Sequence, residues 1–429
     1  MPEYRESTHL SYAERTISSS YFPPSWWPDT TSLQASLAAQ NRCLLYLSME
    51  GPILIRYLLD GERQSFKELS VNIELQQQLT TYLRLVYSHS LSTAEERQLA
   101  RLSYELYQQL IGVGEIRLKE KVDLIIGGDL INFPINALRL VPEGENASYF
   151  VDVHTLSYHF DFQMRAMLSA RQVNPRREQL LAFAPDFERH LLPVSGALTT
   201  RKGSALANNQ MEVAYLQQLL PGEYLFGAAA NRATFDRLAS DYSIVHLATH
   251  AEADLLDGRR SCIYLSESSE ITDSRLYTSD LINYQLNAEL VVLSACETGL
   301  ESYHGTLDQT SLAHSFIAAG AKSVLATAWA VDDRATAEIM ASFYTYLKAG
   351  NAKDVSLRQA QIDYRRRHSG TDKALPFYWA AFSIIGDPSP LEFYPDFYYD
   401  WWKWGVIMAA CCLLLWAYRL RSTEPRNMI

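Results

Sequence analysis

The sequence predicts an α/β protein whose mostly parallel sheet is covered by helices on both faces. From Val122 onward, short apolar segments of strand length alternate with longer segments of helical periodicity. Two of the short segments, residues 243–248 and 290–294, are almost continuously apolar, as expected of parallel strands buried on both sides. Turn signals such as Gly127-Gly128-Asp129 fall between the predicted elements.

The first 115 residues have another pattern and predict a small α+β region. An irregular arm and a short helix at 32–39 precede apolar runs that start at Cys43 and predict a small antiparallel sheet. The hairpin turns are expected at residues 50–52 and 60–61. Two amphipathic helices follow, the second opened by a capping box from Thr93 to Glu96.

The elements after Val122 are assigned from periodicity. Strands are predicted at residues 124–126, 153–159, 180–184, 223–226, 243–248, 262–265, 290–294, 322–328 and 379–385. Helices are predicted at 210–220, 231–240, 310–319, 333–348 and 353–367, and an exposed loop at 195–209.

Composition indicates which partners and which compartment to expect. A net charge of -11 and a pI near 5.5 leave no basic excess to neutralise phosphates, so nucleic acid is not an expected partner. The 5 cysteines are odd in number and unevenly spaced, which favours a reducing compartment over a disulfide framework. The N-terminus lacks the apolar core of an export signal, which predicts that the body of the chain stays in the cytoplasm.

The C-terminus predicts a single membrane-spanning helix at residues 401–421. Its segment WWKWGVIMAACCLLLWAY is apolar except for Lys403, which can snorkel, and it carries aromatic residues at both ends. The alternative is a buried C-terminal helix. The positive-inside rule predicts that the Arg-rich tail stays in the cytoplasm. A single span cannot have both the tail and the N-terminal body in the cytoplasm. Because the export signal is missing, we expect the N-terminal body to be the cytoplasmic part. The predicted location is therefore a membrane, reached by a C-terminal anchor.

Two reactive side chains follow the most apolar strands. His250 comes just after the strand at 243–248, and Cys296 just after the strand at 290–294. Ligands of open α/β sheets bind outside the carboxyl ends of the strands. A cysteine paired with a histidine is the minimum for covalent acyl transfer, because the thiolate is the nucleophile. The competing interpretation is an inert core cysteine.

Two other interpretations concern the same residues. His246 and His250, with Cys262 or Cys296, are conceivable zinc ligands, but His246 lies inside an apolar strand and the cysteines lack paired spacing. Alternatively, residues 296–299 merely form a turn in which Gly299 serves backbone geometry.

A resemblance adds to these observations. The segments LIIGGDLINFPINAL, HLATHA, LVVLSACETG, SLAHSFIAAGAKSVLATAWAVDDRATAEIM, LRQAQ and FYWAAFSIIGD occur in this order. Together they resemble the CHAT domain, the bacterial relatives of caspases and separases, over residues 122–391. The resemblance implies a caspase-like three-layer α/β sandwich with a degenerate half at 116–240 and an active half at 241–392, before a linker at 393–400, the membrane helix and a tail at 422–429.

The resemblance also implies roles for individual residues. Cys296 is the expected nucleophile, His250 the catalytic histidine, and the backbone N–H groups of Ala251 and Cys296 the oxyanion hole. His246 is expected to be structural. Substrate-binding residues are expected at Glu297, Thr298, Trp329 and Asp332. No metal or other cofactor is needed for this chemistry.

The expected function is a membrane-anchored cysteine endopeptidase that cleaves a protein or peptide substrate, with a regulatory protein partner. Related proteins have a Gly-Glu-Gly-like segment after the nucleophile, whereas this chain has His304-Gly305-Thr306-Leu307-Asp308-Gln309. The altered loop favours an alternative, a signalling scaffold that binds protein partners at the membrane without strong activity. Many relatives also carry tetratricopeptide repeats, and no repeat of 34 residues is found here.

Overall fold

A computed structural model describes residues 30–112, 116–142, 148–175, 177–186, 207–252, 254, 258–267, 273–294, 308–391, 408–409 and 413. Two compact units are present, Met1–Leu391 and Glu392–Ile429. The predicted domain boundaries within the first unit stay predictions.

The first unit is built on one large sheet. Its strands and those of a smaller sheet are β1 Arg42–Glu50, β2 Ile53–Leu59, β3 Gln64–Ser70, β4 Lys121–Gly128, β5 Thr155–His159, β6 Arg177–Ala184, β7 Gly222–Phe226, β8 Tyr242–Leu247, β9 Ala251–Glu252, β10 Cys262–Tyr264, β11 Arg275–Tyr277, β12 Leu290–Leu293, β13 Ser323–Thr327 and β14 Phe382–Gly386. The order across the large sheet is β3-β2-β1-β4-β5-β14-β13-β12-β8-β6-β7. Most neighbouring pairs are parallel; β1–β2, β2–β3 and β13–β14 are antiparallel. The predicted α/β class and mostly parallel sheet are confirmed.

The described helices lie between these strands. They are α1 Thr30–Ala39, α2 Ile73–Val86, α3 Thr93–Tyr107, α4 Phe150–Val153, α5 Phe162–Ala170, α6 Ala207–Leu219, α7 Arg232–Leu238, α8 Thr278–Leu281, α9 Asp308–Ala318, α10 Asp333–Lys348, α11 Lys353–Arg367 and α12 Pro376–Trp379. The bounds of α10 and α11 match the prediction. The capping box of α3 begins one residue earlier than predicted, because Ser92 and Glu95 form it.

Helices cover both faces of the sheet around β8 and β12. On one face, Val245 of β8 packs in the main core with Phe235 of α7 and Phe316 of α9. On the other face, His246 of β8 lies against Tyr344 of α10. Alternate side chains of this strand are therefore buried on both faces of the sheet, which is why its sequence is almost continuously apolar.

Two predicted sheets are arranged differently from expectation. The N-terminal strands form the two predicted hairpins, but β1 also pairs in parallel with β4, so this region extends the large sheet. The strand predicted at 262–265 is instead β10, the centre of a separate antiparallel sheet with β9 and β11. An apolar run gives the length of a strand but not the sheet that it joins.

The predicted membrane localisation is contradicted. A membrane span requires a helix of about 20 predominantly apolar residues, and no helix in the described part of the chain is long and apolar enough. Of the segment predicted as the anchor, 401–421, only residues 408, 409 and 413 are described, all in helical conformation.

Candidate functional site

The strands that precede His250 and Cys296 are neighbours and run in parallel. Leu247 pairs with Leu293 in the ladder between β8 and β12, and the N–H of Ser294 donates to the carbonyl of Leu247 at 3.1 Å. The chain therefore leaves both strands at the same edge of the sheet. Open α/β sheets bind ligands at such an edge.

His250 lies in the short connection from β8 to β9 and is 2% exposed. Its backbone is fixed by the small sheet, since the N–H of Tyr264 donates to the carbonyl of His250 at 2.9 Å. The hydroxyl of Thr249 donates to the carbonyl of Tyr264. The segment that carries the imidazole is thus held by β8 on one side and β10 on the other.

Ala251 begins β9 and pairs with Ile263 of β10. The hydrogen bond from Tyr264 N to His250 O flanks this pair, and in an antiparallel ladder such a bond marks the pair beside it as non-hydrogen-bonded. The N–H of Ala251 consequently points away from β10. This orientation fits a donor to a group outside the small sheet.

Cys296, Glu297 and Thr298 lie outside the described residues, as does most of the altered loop at 304–309. Ser294 is the last described residue before them. The strand before Ser294, β12, lies between β8, which leads to His250, and β13, which leads to Trp329. The order of the strands therefore puts the start of the Cys296 segment between the other two segments of the predicted site.

Trp329 follows β13 and is 4% exposed. Its indole N–H donates to the carbonyl of Phe377 at 2.9 Å, and the ring of Tyr87 meets it edge-on with centroids 4.9 Å apart. It lines a cavity of about 270 Å³ together with Phe133 and Thr327. The side chain is a fixed wall of a cavity, and its role towards a substrate stays a prediction.

Asp332 has a defined local role. Its carboxylate accepts a hydrogen bond from the N–H of Ala335 at 3.0 Å and so caps the N-terminus of α10. A cap of this kind stabilises a helix by about 1 kcal/mol. The predicted contact of Asp332 with a substrate would have to coexist with this bond.

The buried strand histidine, His246, belongs to a polar cluster that the sequence analysis missed. Its Nδ1 lies 3.0 Å from the hydroxyl of Tyr344. Its Nε2 lies 3.0 Å from Glu212 Oε1, an electrostatic contact rather than a well-aligned hydrogen bond. Glu212 also accepts from the hydroxyl of Ser294 at 2.6 Å. Both ring nitrogens therefore face protein groups, which disfavours the zinc interpretation.

Asn209 was also missed, because it was assigned to an exposed loop. It lies in α6 and is buried, as are Glu212, Val213 and Leu216 on the same face. The available signal was the placement of an amide and a carboxylate on the apolar stripe of a helix, where polar residues require partners.

The two cysteines that the structure describes, Cys43 and Cys262, are poor nucleophiles. Burial raises the pKa of Cys43 in β1 to about 11, and burial, with a smaller effect of the Glu252 charge, raises that of Cys262 in β10 to about 11. Both are free and buried. At neutral pH they are expected to stay protonated and unreactive.

Comparison with known proteins identifies the domain. The sequence profile of the CHAT domain matches residues 96–387, more than half of the chain. A curated relative, tetratricopeptide repeat protein 28 of Mus musculus, is 30% identical over 130 residues, which is 30% of this chain and 5% of the relative. This chain thus spans a small fraction of that protein. These similarities give no support for a bacterial source.

The structure of separase supports the fold. Separase of Saccharomyces cerevisiae, determined in complex with securin, superposes with a TM-score of 0.53 at 11% identity over 84% of this chain and 31% of that chain. The Arg-specific cysteine proteinase gingipain R gives a TM-score of 0.40 at 11% identity over 71% of this chain and 69% of that chain. This proteinase is from Porphyromonas gingivalis. The fold is accordingly a mixed α/β fold with a large, mostly parallel sheet, similar to separase.

Proposed function

The chain belongs to the CHAT domain family, and we propose that it is a cysteine endopeptidase of caspase and separase type with Cys296 and His250 as its dyad. The observation that carries the proposal is the parallel pairing of β8 with β12, which sends the chain towards both residues at one edge of the sheet. The separase-like fold supports a peptidase of this class.

The proposed reaction needs only protein groups. The Cys296 thiolate attacks the carbonyl carbon of a peptide bond, and the tetrahedral intermediate collapses to a thioester as the imidazolium of His250 gives its proton to the leaving amine. Water then attacks the thioester, releases the new carboxylate and restores the thiol. The N–H of Ala251, directed away from β10, supports a role as one oxyanion donor beside the N–H of Cys296.

The substrate is proposed to be a protein segment. Trp329 would form a wall of its binding cleft, supported by its place in the cavity beside the end of β13. Glu297 and Thr298, next to the nucleophile, and Asp332 complete the proposed substrate contacts. No metal or organic cofactor has a part in the proposed reaction.

The burial of His250 suggests how activity is controlled. A side chain that is 2% exposed offers little access to a peptide, so we expect the segments around it to move when a substrate binds. We therefore propose a latent enzyme that a protein partner activates. The same burial favours the second candidate function, a CHAT-fold scaffold that binds protein partners without cleaving them.

The decisive experiment replaces the nucleophile. In Cys296→Ala, cleavage should fall by roughly a thousandfold or more, because loss of a nucleophile removes covalent catalysis. New protein N-termini are compared across the proteome between cells that carry the parent chain and cells that carry the variant. Cys43→Ala, a buried thiol on β1, is the matched control and should cleave as the parent does.

Labelling with a thiol-directed peptidyl electrophile separates the two candidates. An activated thiolate predicts modification of Cys296 ahead of Cys43 and Cys262, whose burial raises their pKa values. Equal reaction of the three thiols, or persistence of the cleavage products in Cys296→Ala, would exclude the peptidase and leave the scaffold.

A further inference from the structure

Helix α6 presents two buried polar side chains to the ends of the sheet strands. Asn209 and Glu212 are three residues apart, so they lie on the same face of the helix, and each is 5% exposed. Buried amides and carboxylates are stable only where they find partners. The partners of these two side chains are the strand ends that lead to the proposed dyad.

Asn209 holds the strand end that leads to His250. Its side-chain amide donates to the carbonyl of Ala248 at 3.2 Å and to the carbonyl of Pro185 at 3.0 Å. Ala248 directly follows β8 and comes two residues before His250, and Pro185 directly follows β6. One side chain thus fixes the spacing of two adjacent strand ends.

Glu212 holds the strand end that leads to Cys296. Its carboxylate accepts from the hydroxyl of Ser294 at 2.6 Å, and Ser294 directly follows β12, two residues before Cys296. His246 lies against the same carboxylate, and Tyr344 lies against the other side of the His246 ring. Burial raises the pKa of Tyr344 well above its usual value, so its hydroxyl stays a donor.

We propose that Asn209 and Glu212 are positioning residues of the dyad. Asn209 would position the strand end that leads to His250, and Glu212 the strand end that leads to Cys296; we call this pair of residues the α6 clamp. The inference rests on the proposed function. Proton sharing between a thiol and an imidazole requires both groups to be held within a fraction of an ångström, and a misplacement of 1 Å reduces rates by roughly a hundredfold. Because Ala248 and Ser294 are both bound by one helix, α6 adds a second constraint on their relative position to the pairing of β8 with β12.

The clamp is tested by the reactivity of Cys296 towards iodoacetamide, which needs no knowledge of the substrate. Second-order alkylation rates are measured on the full chain at neutral pH and assigned to each cysteine by peptide mass spectrometry. Glu212→Ala and Asn209→Ala should each slow the alkylation of Cys296 roughly tenfold. Glu212→Gln keeps an acceptor oxygen for Ser294 and should recover most of the rate. Gln217→Ala, on the exposed face of α6, is the control.

Two other thiols, those of Cys43 and Cys262, report whether the fold is intact. Cys43 and Cys262 are buried with raised pKa values and react only if the structure opens. The clamp is supported by a slower Cys296 with Cys43 and Cys262 still protected. It is overturned if the Cys296 rate is unchanged, or if it changes only together with exposure of the other two.

A milder variant and a dyad control complete the design. Ser294→Ala removes a single hydroxyl and should lower the rate as Glu212→Ala does, while the double variant should be no slower than either one, since both break the same contact. Additive losses would contradict the clamp. His250→Ala tests the dyad itself: if it leaves the parent rate unchanged, the proposed function fails and the clamp with it. A normal His250 effect with inert α6 variants would reject the clamp alone.

Discussion

The two halves of the large sheet, from β3 to β5 and from β14 to β7 in the order across the sheet, contain different buried polar clusters. In the first half, Asp123 of β4 receives hydrogen bonds from Arg42 of β1 at 2.5 Å and from Arg165 of α5 at 2.7 Å. Arg42 also contacts Asp354 of α11 at 2.8 Å and donates to Ser157 of β5. Two cations and two anions, all nearly inaccessible to solvent, thus balance each other and join strands and helices that are far apart in sequence.

The second half has a chain of hydrogen-bonding groups instead of balanced ions. Tyr344, His246, Glu212 and Ser294 form a line that ends at the edge of the sheet. Removing one partner of a buried ion pair costs about 3 to 5 kcal/mol, whereas a typical hydrogen bond contributes about 1 kcal/mol of net stability and a hydrogen bond to a charged group somewhat more. The first cluster is therefore expected to determine whether the molecule folds, and the second how its proposed site is arranged.

Asp123→Asn should give the largest effect on stability. The substitution keeps the shape but leaves Arg42 with one anion, Asp354, and takes from Arg165 the carboxylate that it contacts. We expect the free energy of unfolding to fall by about 3 to 5 kcal/mol, the usual cost of removing one partner from a buried ion pair. Urea denaturation measures it, with the exposed Glu96→Gln on α3 as a control that should change stability by less than about 0.5 kcal/mol. An equally small change in Asp123→Asn would refute a structural role for the first cluster.

The same substitution predicts a pH dependence. Burial by itself raises the pKa of Asp123, but the charge of Arg42, the neighbouring ring of His159 and the charge of Arg165 lower it far below its usual value. A carboxylate with a lowered pKa in the folded state stabilises the fold above its unfolded pKa, near 4. The stability difference between parent and Asp123→Asn should thus be constant above about pH 5 and shrink as the pH falls below 4. A difference that grows in acid would contradict this sign.

Periodicity predicted much of the fold because the second half follows simple rules. The strand before His250 was predicted at 243–248 and found at Tyr242–Leu247, and the helices Asp333–Lys348 and Lys353–Arg367 were found as predicted. Each of these elements buries an apolar face of regular spacing. That β8 and β12 are parallel neighbours and share an edge was seen only in the structure, because the strand predicted between them at 262–265 belongs to the separate small sheet.

The parts that the sequence did not predict depend on long-range pairing. Nothing in Arg42 or Asp123 shows that β1 joins β4, because the ion pair spans 81 positions of the chain. Asn209 was predicted to lie in a loop because it follows a run of polar residues. Its partners, the carbonyl groups at the ends of β6 and β8, are known only from the folded structure. Helix α5 was missed altogether, and its Arg165 finds its partner only in the folded sheet.

Tyr344→Phe should give the smallest effect on stability, and it tests the second cluster as Asp123→Asn tests the first. It removes only the hydroxyl that faces His246 Nδ1, inside the second cluster. We expect a loss of about 1 kcal/mol in the free energy of unfolding, the net value of a typical buried hydrogen bond. The alkylation rate of Cys296 should fall less than in Glu212→Ala, because the contact of Ser294 with Glu212 remains. Tyr215→Phe on the exposed face of α6 is the control. A loss as large as that of Asp123→Asn would mean that both clusters serve stability alike and that the contrast between the halves is false.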